Sequence, residues 1–276
     1  MKATILIVLL LLLSSCGLSN TNLSTKNQIE REDSAINQLT ETKTNNNEGS
    51  IDLNEKKLEL KKVNYSNQNV NISFPAIINL NDLEQEKMLN EILKSEAMQV
   101  LDYFGENGQD IELDVNYSSK WIGSTSLSIQ FTGSSYVKGG PYPNSIFFTT
   151  NLDIKNGKKI LLRDIVKIDD KFIDLLRQAK YVQHNSDLNV ETEAREKLSE
   201  YSYAELISYL NKTDELNVTN KLGVFTYYTK ESLGISFNVP HVLGDHVEYE
   251  ISYSDLKNNI LSENIAWIDI QSSREN

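Results

Sequence analysis

The sequence predicts an α+β fold in which antiparallel sheets pack against a few helices, with two small subdomains as one way of arranging them. Three observations point there. Runs that alternate apolar and polar residues recur along the chain, runs of helical spacing interrupt them, and the joints between strands look like hairpins rather than βαβ crossovers. No internal repeat is visible. The expected divisions are 1–15 as a signal segment, 16–55 as a tether, 56–154 as an N-terminal subdomain and 155–276 as a C-terminal one.

Met1 and basic Lys2 precede an apolar run from Ile5 to Leu13. That run is about half the ~20 residues a spanning helix needs. A charged start, a short apolar stretch and small residues describe a secretory signal. Leu13-Ser14-Ser15-Cys16-Gly17 resembles the bacterial lipobox, in which the thiol receives a diacylglyceryl group. The alternative is an ordinary signal that happens to carry a cysteine. Cys16 is the single cysteine of the chain, so its acylation would leave no thiol for catalysis, metal ligation or a disulfide. Each buried methylene of a lipid contributes ~0.8 kcal/mol, and two chains make the anchor stable. The expected location is the extracytoplasmic face of the cell membrane, lipid-anchored and not spanning.

Gly17 to Asn54 is rich in Ser, Thr, Asn, Gln and scattered charge. Its apolar residues are too sparse to bury a face, so a disordered tether is expected. Roughly 40 residues of such chain reach on the order of 35 Å. The formal charge of −12 argues against nucleic acid and against lying flat on anionic lipid. It suits a cationic partner, or simply solubility.

Val70, Ile72 and Phe74 alternate and predict a strand closed by Pro75. Asn81 with Glu84 predicts a capped helix start, and Leu89, Ile92, Leu93, Ala97, Val100, Leu101 and Phe104 carry an amphipathic helix over 82–104. Ile111–Tyr117 and Thr125–Phe131 predict an antiparallel pair turning near Lys120–Gly123. A loop follows from Gly133 to Asn144, then a strand over Ile146–Leu152 and a hairpin turn at Asn156-Gly157. Helical spacing covers Asp164–Gln183, with Asp169 and Asp170 offsetting the macrodipole at a helix start, and again Ala194–Leu210. The last third predicts strands over Val224–Tyr228, Leu233–Phe237 and Val247–Tyr253. Ile265, Trp267, Ile268 and Ile270 predict an edge strand or loose packing.

Catalytic patterns are weak. His241 and His246, with Asp245 and Glu248 beside them, match no zinc spacing, and a polar hairpin tip is the expected reading. His184 stands alone. No Gly-x-Ser-x-Gly elbow and no P-loop ending is present. No enzyme activity, cofactor or metal is expected. The best site candidate is the loop Tyr136–Asn144, where Gly139, Gly140, Pro141 and Pro143 fix an unusual backbone path and either X-Pro bond could be cis. Tyr136 and Tyr142 beside Asn144 offer aromatic faces and an amide to a saccharide or a protein epitope. A structural corner is the competing reading. Tyr228, with Tyr227 and Phe225, forms a second aromatic patch, half core and half surface.

Phe131-Thr132-Gly133-Ser134-Ser135-Tyr136-Val137-Lys138-Gly139-Gly140-Pro141-Tyr142-Pro143-Asn144 resembles a segment of a family of bacterial extracytoplasmic domains of uncharacterised function. The family is shared by the lysozyme-sensing anti-sigma factor of the sigma-V type, the N-terminal modules of some peptidoglycan deacetylases and stand-alone lipoproteins. Ile72–Pro75, Asn151–Ile165 and Val224–Leu256 are similar to further family segments, so the resemblance covers roughly 56–257. Where the family usually has Gly-Gly-Ala-His-Pro-Asn, Tyr142 replaces the histidine, which puts any imidazole role in doubt. The resemblance implies a binding module for a lysozyme-like protein or cell-wall glycan. The signalling role and the deacetylase module are not expected here, for lack of a spanning helix and of further chain. A structural or assembly lipoprotein contacting another envelope protein is the alternative, and a peptidoglycan hydrolase the third reading.

Overall fold

The computed structural model describes residues 58–104, 111–183, 189–214 and 223–275. Cys16, the expected tether and His184 lie outside the described residues. Among the described residues, ten strands form two sheets. The first has the order β1 (Glu59–Asn67), β2 (Val70–Ile78), β3 (Ile111–Ile122), β4 (Ser126–Val137), β5 (Asn144–Asp153) and β6 (Lys158–Lys159). The second has the order β7 (Lys180–Val182), β10 (His246–Ser252), β9 (Ser232–Asn238) and β8 (Val224–Tyr228). The predicted α+β class, with sheets packed against several helices, is what the chain forms.

Every pairing is antiparallel except β2 with β3, which run parallel over Val70–Ile72 and Leu113–Val115. The expectation of hairpins without crossovers is therefore corrected. The helix α1 (Leu83–Phe104) links β2 to β3 as a βαβ unit, the connection a parallel pair requires. Its start also shifts from the expected Asn81. Asp82 caps it, with Oδ1 accepting from the N–H groups of Glu84 and Gln85, while the Glu86 carboxylate takes the Leu80 N–H.

Pro75 does not end β2. It pairs with Lys62, and because β3 partners β2 only at Val70–Ile72, no ladder on that side needs the missing N–H. Strand β1 was not anticipated at all. Strand β3 runs on to Ile122 through a bulge between Ser119 and Trp121, so the turn falls at Gly123–Thr125 rather than Lys120–Gly123. The Asn156-Gly157 turn has only Gly157 at positive φ, and Gly157 N–H donates to the Asp153 carbonyl across a four-residue loop.

The helix expected over Asp164–Gln183 is three pieces: α2 (Leu162–Ile165), α3 (Asp170–Gln178), and β7. Asp169 caps α3 by accepting from Phe172 N–H. The helix over Ala194–Leu210 is likewise two, α4 (Glu191–Ser199) and α5 (Tyr203–Leu210), separated at Ser202, which forms a capping box with Glu205. Tyr253 begins a short helix, α6 (Tyr253–Leu256), rather than ending a strand. The terminal stretch is a helix, α7 (Ile265–Glu275), not an edge strand, and it buries Ala266 and Ile270 in the core. Among the described residues no helix is long and apolar enough to cross a membrane.

Alternation in β4 and β5 explains the layering. Leu127, Ile129 and Phe131, with Phe148 and Leu152, join Leu89, Leu93, Ala97 and Val100 of α1 in one core. Thr150 on that face reaches Glu96 of α1. The opposite positions, Ser126, Ser128, Gln130, Thr149 and Asn151, are buried too, because the second sheet and α7 cover them. Asn151 Nδ2 donates to the Thr226 carbonyl, Ser128 Oγ accepts from Tyr228 N–H, and Gln130 donates to Glu248. A second core gathers α2–α7 against β8–β10.

Candidate binding surface

The β4–β5 loop is shaped by its glycines. Val137–Gly140 closes a turn in which Gly140 N–H donates to the Val137 carbonyl at 2.8 Å, and Gly139 sits third at φ +85°. Glycine is the residue that adopts this conformation without a Cβ penalty. Tyr136 Oη donates to the Gly140 carbonyl at 3.2 Å, pinning the turn from its own strand. No described peptide bond is cis, so Pro141 and Pro143 are trans.

The β9–β10 connection packs directly against this loop. His241–Leu243 forms one 3₁₀ turn, and Gly244 and Asp245 follow at φ +95° and +70°. Tyr142 stacks on the His241 ring with centroids 3.7 Å apart and planes 4° from parallel. Asp245 bridges the two loops. Its Oδ2 accepts the Ser145 backbone N–H at 2.6 Å, and both its oxygens lie 3.0–3.1 Å from His241 Nδ1. Facing a carboxylate, Nδ1 is the donor in that contact. Two loops far apart in sequence are thus joined by one ring stack and one carboxylate.

The sequence-derived site residues divide as follows. Tyr136, Gly139, Gly140 and Tyr142 belong to the joined loops, and Asn144 is the exposed first residue of β5, paired with Ser135. Tyr228 does not belong there and is corrected: it is 0% exposed, with its hydroxyl donating to the Leu127 carbonyl at 3.0 Å. Burial pushes its phenol far up, so it is core. The strand reading of Tyr227-Tyr228 as half surface failed because both faces of β8 are covered.

Sequence reasoning missed the apolar crown of the joined loops. Val242 is 78% exposed, Val137 53% and Tyr142 47%, and all three stand on the two segments that the Tyr142–His241 stack holds together. The signal was available: Val242 and Leu243 between Pro240 and Gly244 are apolar residues in a turn. Beneath the crown, His246 packs on Phe147 at 4.8 Å and faces the fully buried Glu248 at 3.7 Å. Glu248 is therefore a core residue and not part of a polar tip. Among the described residues no group of three or more His, Cys, Asp or Glu is placed to hold a metal ion.

Two further carboxylates lie where the second sheet and α7 meet the first sheet. Asp214 accepts from Thr149 Oγ1, Thr226 N–H and Thr226 Oγ1, yet burial dominates and pushes its pKa up to about 6. Asp269 accepts from Trp121, Ser124, Thr125 and Ser126. Burial would raise its pKa, but those bonds together outweigh it and hold it below the ordinary carboxylate value. Both carboxylates are engaged by several protein donors, an arrangement that braces the packed layers.

No protein-family model matches the chain, and no curated protein matches it. Solved structures do. A member of the DUF3298 family from Bacteroides fragilis is 14% identical, with a TM-score of 0.47, covering 79% of this chain and 100% of its own. A DUF3298 family protein from Pseudomonas aeruginosa is 10% identical, with a TM-score of 0.45, covering 75% of this chain and 95% of its own. At low identity and over most of its length, this chain is similar in fold to these two DUF3298-family proteins.

Proposed function

We propose that the chain is a cell-surface lipoprotein, held through an acylated Cys16, whose folded part is a non-catalytic module that binds a lysozyme-like protein of the envelope. The observation that carries this reading is the crown of Val137, Tyr142 and Val242 on a pair of stapled loops. Exposed apolar and aromatic side chains on a backbone already fixed supply contact area at low entropic cost. The net charge of −12 favours encounter with a basic partner, and secreted lysozymes are usually basic. His241 serves to hold that crown in place. Its ring face is covered by Tyr142 and its Nδ1 is engaged by Asp245, an arrangement that braces loops.

The test is retention of lysozyme by the full chain in detergent at low and high salt, beside sedimentation with insoluble peptidoglycan. Retention that falls with salt and is lost in Val242→Asp is expected. Absence of retention at low salt sinks the protein ligand. Co-pelleting with peptidoglycan that Tyr142→Ala abolishes would put glycan in its place.

A further inference from the structure

A cavity of about 390 Å³ shares no residue with the stapled loops and is lined by Tyr253, Ser254, Trp267, Gln271 and Arg274. Helix α7 builds one wall, because Trp267, Gln271 and Arg274 fall at positions i, i+4 and i+7 on one face. Tyr253 builds the other. The two rings lie 5.1 Å apart at 53°, so they form a tilted apolar corner rather than a closed stack. The corner is fixed in advance. Tyr253 Oη donates to the Thr229 carbonyl at 3.1 Å, and the Arg274 guanidinium lies 5.3 Å over the Tyr253 ring.

Charge decides what such a corner accepts. The cation among its lining residues is already satisfied: Arg274 Nε and Nη2 donate to the Lys230 carbonyl, and Nη2 meets Glu231 at 3.2 Å. An anionic ligand would gain little there and would approach a chain of net charge −12. What remains available is an aromatic face, the exposed Gln271 amide and the lone pairs of the exposed Ser254 hydroxyl, whose proton is engaged by Ser252 Oγ at 2.7 Å. An apolar face beside an amide and a hydroxyl matches a pyranose, whose C–H face packs on an aromatic ring while its hydroxyls hydrogen-bond at the rim. The volume falls at the lower end of the ~300–1,000 Å³ typical of small-molecule sites.

We propose that this cleft binds a neutral saccharide, one ring seated on Trp267 with its hydroxyls bonded by Gln271 and Ser254. The site stands independently of the loop crown. The chain has two tryptophans, and Trp121 is buried at 9% exposure, so an emission change on titration reports Trp267. The full chain in detergent is titrated with chitotetraose, cellotetraose and maltotetraose, by fluorescence and by calorimetry. At least one sugar is expected to saturate in the millimolar range. Gln271→Ala, a change on an exposed helix face, is expected to weaken it about tenfold, the value of one lost hydrogen bond. Trp267→Phe should remove the emission response, with near-ultraviolet dichroism confirming the fold. Tyr142→Ala should leave the titration unchanged. No saturation with any of the three sugars, or saturation that is unaltered in Gln271→Ala, overturns the proposal.

Discussion

Replacing Asp269 with alanine removes the acceptor that ties α7 to the β3–β4 turn. Six donors reach this carboxylate: Trp121 Nε1 at 3.2 Å, Ser124 N–H and Oγ at 3.0 and 2.8 Å, Thr125 N–H at 3.3 Å, and Ser126 N–H and Oγ at 3.0 and 2.7 Å. Not all of them would be stranded. Ser124 is exposed and finds water, Trp121 Nε1 keeps Ser126 Oγ as its acceptor at 3.2 Å, and the Ser126 hydroxyl proton can rotate in search of a new one. The buried Ser126 N–H is fixed by the backbone and loses the acceptor it has in the folded chain. One stranded buried donor at ~1–3 kcal/mol, with the charge-assisted bonds lost beside it, gives a cost of about 3–4 kcal/mol for Asp269→Ala. Asp269→Asn keeps one oxygen and turns one amide hydrogen toward donors, for about 2 kcal/mol. Urea denaturation followed by tryptophan emission measures both. The lowered pKa of Asp269 adds an acid limb: the native state binds fewer protons than the unfolded chain, so stability falls as pH drops through the ordinary carboxylate range. Asp269→Asn should flatten that limb. A cost below about 1 kcal/mol for the alanine variant, or equal costs for both variants, would refute the account and leave apolar packing of Ala266 and Ile270 as what holds the helix.

Asp214 titrates in the opposite sense. With its pKa raised from 3.8 to about 6 by burial, the native state holds a proton that the unfolded chain has released between those values. Stability is therefore highest below about pH 4 for this group and declines as pH rises to about 6, by about 3 kcal/mol in all; comparing denaturation midpoints of the wild type and Asp214→Asn across that window checks it. Gly133→Ala should cost about 2 kcal/mol or more, since a Cβ there would collide with the Asp114 carbonyl and Val115 backbone of β3. A variant with an unchanged midpoint would contradict that close approach. Asp245→Ala should release the stapled loops with little loss of global stability, read as faster hydrogen exchange at the Ser145 amide; unchanged protection there would remove Asp245 as the bridge.

The elements easiest to read in the sequence were those whose burial is one-sided. Helix α1 carries Leu89, Leu93, Ala97 and Val100 on one face, and its span was legible within a residue. Strands β8 to β10 were legible because Val224–Tyr228, Leu233–Phe237 and Val247–Ile251 are dense in β-branched and aromatic residues. Helix α7 was misread because Trp267-Ile268 are adjacent, and alternation cannot separate a short amphipathic helix from an edge strand when Asp269 faces inward. The parallel joint of β2 and β3 was illegible for a different reason. It involves only three residues of each strand, and their pairing is fixed by where α1 returns the chain. The Tyr136–Asn144 loop was visible as a special backbone path, since Gly139 and two prolines announce one. Its partner was not, because the Tyr142–His241 contact bridges residues whose proximity depends on how the two sheets meet.

That meeting is set by polar side chains. Apolar surfaces attract without direction, and Phe147 against Phe225, 6.4 Å apart and tilted, would tolerate sliding. The buried polar set would not. Displacing the second sheet by one residue, ~3.3 Å along a strand, takes Asn151 from Thr226, Tyr228 N–H from Ser128 and Gln130 from Glu248. Each loss leaves a buried donor or acceptor unmet at ~1–3 kcal/mol. A register enforced at three points by unmet hydrogen bonds is sharper than one enforced by hydrophobic area. Its consequence lies at the far end of the same strands. Tyr142 rides on the loop between β4 and β5, while His241 and Asp245 ride on the connection between β9 and β10. A stack at 3.7 Å and a hydrogen bond at 2.6 Å require those loops to arrive together. The serines, threonines and amides on the hidden face of β4 and β5 are therefore what place the Val137, Tyr142 and Val242 crown.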